Sequence, residues 1–196
     1  MIKRICVFCG SRTGVRPAYL RAAQQTGSRI AQRGYELVYG GGHVGLMGAL
    51  ASSAMENGGK VIGIIPKALA DVEIAHEGLT ELRIVNTMHE RKAMMADLAD
   101  AFIALPGGYG TLEELCEIIT WGQLGIHRKP FGILNVEGYY DGLMHFFNFA
   151  TEEGFVHPTE REVITSSDDI DTLITQIENY TPVTFNKWVN DQQLKS

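Results

Sequence analysis

Residues 35–48 read YELVYGGGHVGLMG. Tyr35–Tyr39 is a short run of apolar and aromatic residues, the composition of a buried strand. Gly40, Gly41 and Gly42 break it, and Val44 to Asn57 then reads as a helix that stops at Gly58 and Gly59. The unit is strand, glycine loop, helix. It recurs downstream: Ala101–Leu105 is a strand, Pro106 to Gly110 a tight glycine turn, and Thr111 to Leu124 a helix. Outward from these two units the alternation continues. Ile2–Phe8 reads as a strand and Pro17 to Arg33 as a helix, with Pro17 in the first turn and Gly34 at the stop. Lys60–Ile65, Glu81–Val85 and Phe131–Val136 read as strands, with Glu162–Thr165 as a short last one. Met88 to Asp100, Tyr139 to Glu153 and Asp168 to Tyr180 read as helices, and 67–79 as a long loop. This order predicts an α/β fold of Rossmann-like, doubly wound type: a parallel sheet with helices on both faces and right-handed crossovers. One domain over 1–182 and a polar tail over 183–196 are expected. Ligands of such folds bind beyond the carboxyl ends of the strands.

The chain has 196 residues, enough for a sizeable core. Hydrophobic residues make up 45% and charged residues 20%, which excludes wholesale disorder. A net charge of −6 argues against a nucleic-acid binder, which needs a basic face. No apolar run approaches the length of a membrane span, and MIKRICVFCG reads as a first strand rather than a leader. The three cysteines have no framework spacing, so a reducing cytoplasm is expected. Cys6 and Cys9 form a CxxC, but at the end of an apolar strand rather than at a helix start, and no second pair completes a zinc tetrahedron. They read as buried thiols.

Gly40, Gly42 and Gly45 satisfy G-x-G-x-x-G after a strand. A dinucleotide site also needs an acid at the end of the next strand, and that strand ends Ile64-Ile65-Pro66-Lys67. Two roles stay open for this loop: close packing of the helix at Gly45 and Gly48, and approach of the Gly41–Gly42 backbone to a ligand. The second loop, PGGYGTLEE at 106–114, fits a phosphate cradle, since glycines let backbone N–H groups converge at a helix N-terminus. It is not a Walker loop. Thr111 and Glu114 have capping-box spacing; Glu114 either bonds back to the helix cap or faces the anion site with Thr111. Glu113 is expected to turn into solvent. In MHERK at 88–92, Arg91 and Lys92 are either surface charges or ligand donors, and the nearby methionines are expected to fill the core.

Together, Cys9-Gly10-Ser11, GGGHVGLMG at 40–48, MHERK at 88–92 and PGGYGTLEE at 106–114 resemble the LOG family of cytokinin riboside 5′-monophosphate phosphoribohydrolases, over roughly residues 2 to 180. Members are often labelled lysine decarboxylases, yet this chain shows no evident Schiff-base lysine. The resemblance implies a homodimer without metal or other cofactor. It implies cleavage of the N-glycosidic bond of an adenine-type nucleoside 5′-monophosphate, AMP or a prenylated analogue, to base and ribose 5-phosphate. It assigns Arg91 and Glu114 as the catalytic pair. Lys92, Gly107, Gly108, Tyr109, Gly110, Thr111, Leu112 and Glu113 would line the nucleotide site. Gly10, Ser11, Gly41 and Gly42 would border it, and Glu73 and Thr120 would reach the substrate. A carrier of nucleotides or of molybdenum cofactor, similar in fold and glycine loops, is the alternative. The resemblance also favours an isologous contact through Thr120–Ile126, against a core role for Trp121.

Overall fold

The computed structural model describes residues 1–70, 76 and 78–183. Glu73 and nearly all of the polar tail lie outside the described residues. In chain order the elements are β1 (Arg4–Phe8), α1 (Pro17–Gln32), β2 (Glu36–Tyr39), α2 (Gly45–Glu56), β3 (Val61–Pro66), α3 (Lys67–Ala70), β4 (Glu81–Val85), α4 (Met88–Leu98) and β5 (Ala101–Ala104). There follow α5 (Tyr109–Gln123), β6 (Phe131–Leu134), a 3-10 turn (Val136–Gly138), α6 (Asp141–Glu152), α7 (Pro158–Glu162), β7 (Thr165–Ser167) and α8 (Ile170–Glu178). The strands form one seven-stranded sheet in the order β4-β3-β2-β1-β5-β6-β7, and every pairing is parallel. The Rossmann-like, doubly wound expectation holds.

The core lies on both faces of the sheet, because successive strand residues point to opposite sides. Ile5, Val7, Leu37, Tyr39 and Ile103 meet α1, α2 and α8 on one face. Cys6, Phe8, Val38, Ile62, Phe102 and Ile133 meet α4 and α5 on the other. Burial of each such large side chain contributes about 1.5–3 kcal/mol. The same alternation disposes of the CxxC. Cys6 and Cys9 are three residues apart, belong to opposite core layers and are unpaired. Burial pushes both thiols well above their ordinary value, as inert core cysteines require.

Three local expectations need correction. The last strand is Thr165–Ser167, not Glu162–Thr165, and Glu162 ends the short helix α7. That helix starts because Pro158 suits its first turn and His157 forms a capping box with Glu160. The stretch expected as loop from 67 opens with a helical turn, α3. Helix α5 begins at Tyr109, two residues before Thr111, with Gly108 as its N-cap.

Candidate active site

The chain runs outward from β1 to β4, returns to β5 beside β1, and runs outward again to β7. Crossovers therefore leave in opposite directions between β1 and β5, and a crevice opens there. The loops after β1, β2 and β5 meet at its floor. The Gly10 N–H donates to the Pro106 carbonyl at 3.1 Å, and the Leu46 N–H donates to the Gly10 carbonyl at 3.1 Å. These loops touch backbone to backbone, which explains their glycines. A Cβ on Gly45 would meet the Ser11 carbonyl oxygen at 2.4 Å, and one on Gly107 would meet Oγ1 of Thr111 at 2.1 Å.

A cavity of about 370 Å³ occupies the crevice. Its wall on the α5 side is the helix N-terminus. The Leu112 N–H donates to the Gly108 carbonyl at 3.1 Å, the first bond of the helix. The N–H groups of Tyr109, Gly110 and Thr111 precede it, at the positive end of the helix dipole. The cap residue is glycine and provides no side-chain bond. Among the described residues no side chain caps this end of the helix. This start also removes the capping-box reading of Thr111 and Glu114. Thr111 is the third residue inside the helix, and Glu114 stands one turn beyond it, half-buried and lining the cavity.

Opposite stands Arg91 on α4, 5% exposed and so no surface charge. Its Nη2 donates to the Gly40 carbonyl at 2.7 Å and its Nε to the Ile64 carbonyl at 3.2 Å. Gly40 directly follows β2 and Ile64 lies within β3, so the sheet itself orients the guanidinium. A Cβ on Gly40 would lie 2.0 Å from Nη2. Gly40 rather than Gly41 or Gly42 thus faces the cavity, while Gly41 and Gly42 lie buried behind it.

Lys92 is also buried, but turns to α5 instead. Its ammonium donates to Glu113 and, at 3.0 Å, to Glu117. The Glu113 carboxylate, then that of Glu117, hold its pKa above the ordinary lysine value. Glu113 is exposed as expected, its side chain 56% accessible, and from there it pairs with Lys92 at the cavity edge. Gly10, Ser11, Gly108, Tyr109, Gly110 and Thr111 line the cavity; Lys92, Gly107, Leu112 and Thr120 are not among the described lining residues. Gly107 lies just behind the wall. Thr120 sits nine residues along α5 from Thr111, about 13 Å further along the axis. Its hydroxyl donates to the Cys116 carbonyl.

Sequence reasoning missed Met47, Met88, Met95 and Leu69, which form the apolar part of the wall. A signal was available: Met88, Arg91 and Met95 are three and four residues apart on one helix face.

An all-parallel α/β domain with an open helix N-terminus, a carboxylate and a guanidinium around one cavity at its switch point belongs to the class of Rossmann-like proteins. A family model described as "Possible lysine decarboxylase" matches residues 47–177. The chain is 56% identical to the cytokinin riboside 5′-monophosphate phosphoribohydrolase LOG7 of Arabidopsis thaliana, over 92% of this chain and 83% of that protein. It is 53% identical to LOG1 of the same plant, over 92% and 84%. Among solved structures, the molybdenum cofactor binding protein from Rippkaea orientalis superposes with a TM-score of 0.69 at 22% identity, covering 91% of this chain and 96% of that one. That likeness is one of fold. The chain belongs to the LOG family of phosphoribohydrolases, the family also described as possible lysine decarboxylases.

Proposed function

We propose that the chain hydrolyses the N-glycosidic bond of adenine-type nucleoside 5′-monophosphates, AMP or a cytokinin riboside 5′-monophosphate, to free base and ribose 5-phosphate. The observation that carries this reading is that the open N-terminus of α5, the Glu114 carboxylate and the Arg91 guanidinium line one cavity. The 5′-phosphate docks on the N–H groups of Tyr109, Gly110 and Thr111. Glu114 then faces the ribose. As the C1′–N bond breaks the sugar gains oxocarbenium character, which the carboxylate stabilises while it orients the attacking water. The water oxygen bonds to C1′ as the C1′–N bond breaks, the base leaves with the bonding pair, and the proton the water gives up balances the one the base takes on. Arg91, held by two carbonyls, presents a planar donor to phosphate or sugar oxygens. The methionine wall suits an apolar base and its substituent, since methionine adapts to irregular shapes.

The decarboxylase label fits these residues poorly. A Schiff-base lysine must be deprotonated to attack a carbonyl. Lys92, the lysine beside Arg91, is held protonated by Glu113 and Glu117, and no lysine is among the described lining residues. A carrier of nucleotides or molybdenum cofactor would bind without turnover and would have no use for a carboxylate facing the sugar.

The working unit we propose is a homodimer. Leu124, Ile126, Phe146, Phe149 and Phe155 are each at least half exposed, a concentration of apolar surface around α6 and the end of α5. Trp121 is half-buried against the core, so it contributes at most an edge. The unpaired thiols fit a reducing compartment, the cytoplasm.

The function is tested by comparing AMP with adenosine. Phosphate binding energy lowers the barrier at the distant glycosidic bond, so kcat/KM for AMP should exceed that for adenosine by about a hundredfold or more. Comparable values would refute the reading.

A further inference from the structure

The cradle is built from the most compliant residue type. A Cβ on Gly108 or Gly110 would meet nothing within 4 Å, so side-chain packing does not hold these two positions. Donors must nevertheless be converged before the ligand arrives if binding is not to be spent on ordering the loop. The structure assigns that task to Tyr139, as a positioning residue for the anion-binding loop; the inference rests on the phosphate-site reading above. The Tyr139 hydroxyl donates to the Gly107 carbonyl at 2.5 Å. Its neighbour Tyr140 is buried and donates to the Leu105 carbonyl at 2.6 Å. Two consecutive phenols thus grip the connection between β5 and α5 on either side of Pro106.

The geometry makes the first grip consequential. A trans peptide is planar, with its C=O and N–H pointing in opposite directions. Holding the Gly107 carbonyl toward Tyr139 turns the N–H of Gly108 the other way and fixes the peptide that leads into the Tyr109, Gly110 and Thr111 donors; Gly108, the N-cap, lines the cavity with them. Tyr139 is itself aimed by a costly turn. Glu137 adopts φ 49°, in the left-handed region that residues other than glycine avoid. Arg16 secures that turn: its Nη1 reaches the Glu137 carboxylate at 3.2 Å and the Glu137 carbonyl at 3.4 Å. The Tyr139 ring stands edge-on to Tyr19 at 5.4 Å and to Tyr140 at 5.0 Å. Helix α1, the loop after β5 and the turn after β6 are therefore tied through one phenol.

Ring packing alone would need no hydroxyl, and the Gly107 carbonyl lies where water can replace it. Tyr139→Phe separates the two roles. The probe is ribose 5-phosphate, followed by calorimetric titration, alongside steady-state turnover of AMP and a melting curve. The expected result is an unchanged melting temperature, ribose 5-phosphate affinity about fivefold weaker, and KM for AMP raised by the same factor with kcat within about twofold, the scale of one lost neutral hydrogen bond. Unchanged ribose 5-phosphate affinity would overturn the assignment. So would weakened binding accompanied by a lowered melting temperature, which marks a merely structural role. If the wild-type chain binds ribose 5-phosphate but leaves AMP intact, the hydrolase reading fails while the titration still decides the role of Tyr139.

Discussion

Gly40 and Arg91 share one space, and each explains the other. The guanidinium lies against the Gly40 carbonyl, where a methyl group would overlap Nη2 at 2.0 Å. Gly40→Ala should therefore push Arg91 out of register while leaving the strand ends intact. The expected outcome is kcat/KM for AMP lower by about tenfold or more, equivalent to roughly 1.4 kcal/mol, with a melting temperature lower by only a few degrees. Arg91→Lys keeps the charge but loses the planar fork whose fixed nitrogens fit the Gly40 and Ile64 carbonyls. A similar tenfold loss is expected; near-wild-type kinetics would mean that Arg91 only tethers β2 to β3. At this scale the motifs were legible and their surroundings were not. Arg91 and Glu114 stood out through the motifs' resemblance to the LOG family, and Glu114 also through its spacing from Thr111. The burial of Arg91 did not, because MHERK has an almost uniformly polar look and the carbonyls that satisfy it come from strands 27 and 51 residues away. The cavity methionines were read as core because a methionine suits either place.

The helices show where pattern reading misleads. The strands of the sheet's interior were plain, since runs such as Val61–Pro66 are buried throughout. The start of α5 was not. Tyr109 and Gly110 look like turn residues, and Thr111 with Glu114 imitates a capping box, yet the helix already runs through Tyr109. Helix α7 was missed because five residues carry no periodicity. Between elements, Lys92 joins α4 to α5 through Glu113 and Glu117, and so sets the distance between Arg91 and Glu114. Lys92→Met should leave the Glu113 and Glu117 carboxylates without their shared cation and, with Glu113 in solvent, cost on the order of 1 kcal/mol, which for a chain of this size lowers the melting temperature by roughly 2–4 °C. Glu113→Gln should be milder, because Glu117 remains. Helix α8 carries a pH signature. The Asp169 carboxylate accepts from the Thr172 N–H at 2.8 Å, and that bond holds its pKa below the ordinary 3.8. A depressed carboxylate stabilises the fold above its unfolded pKa, and the contribution disappears as pH falls through the lower folded value. The melting-temperature advantage of wild type over Asp169→Asn should thus be present at neutral pH and shrink below about pH 3.8.

For the molecule as a whole, the strand order matters more than any one element, because only the β1/β5 boundary lets three loops converge without blocking helices. The alternation of strands and helices predicted the parallel sheet and ligands beyond its carboxyl ends, but not which two strands flank the switch point. The assembly is not written in the same way: apolar residues on α6 read equally as core until the structure leaves Phe146 and Phe149 at 59% and 50% exposed. Light scattering at micromolar concentration should give twice the single-chain mass, and Phe146→Glu with Phe149→Glu should shift it toward the monomer; a single-chain mass for the wild type would count against the dimer. The central claim is that this architecture brings a charged carboxylate to the sugar of a bound nucleotide. Glu114→Gln tests it with shape and hydrogen-bonding oxygen retained and charge removed, measuring melting temperature, AMP binding and turnover on one preparation. The account predicts an unchanged fold, retained AMP binding and turnover lower by about a hundredfold or more. Turnover near the wild-type rate would contradict it.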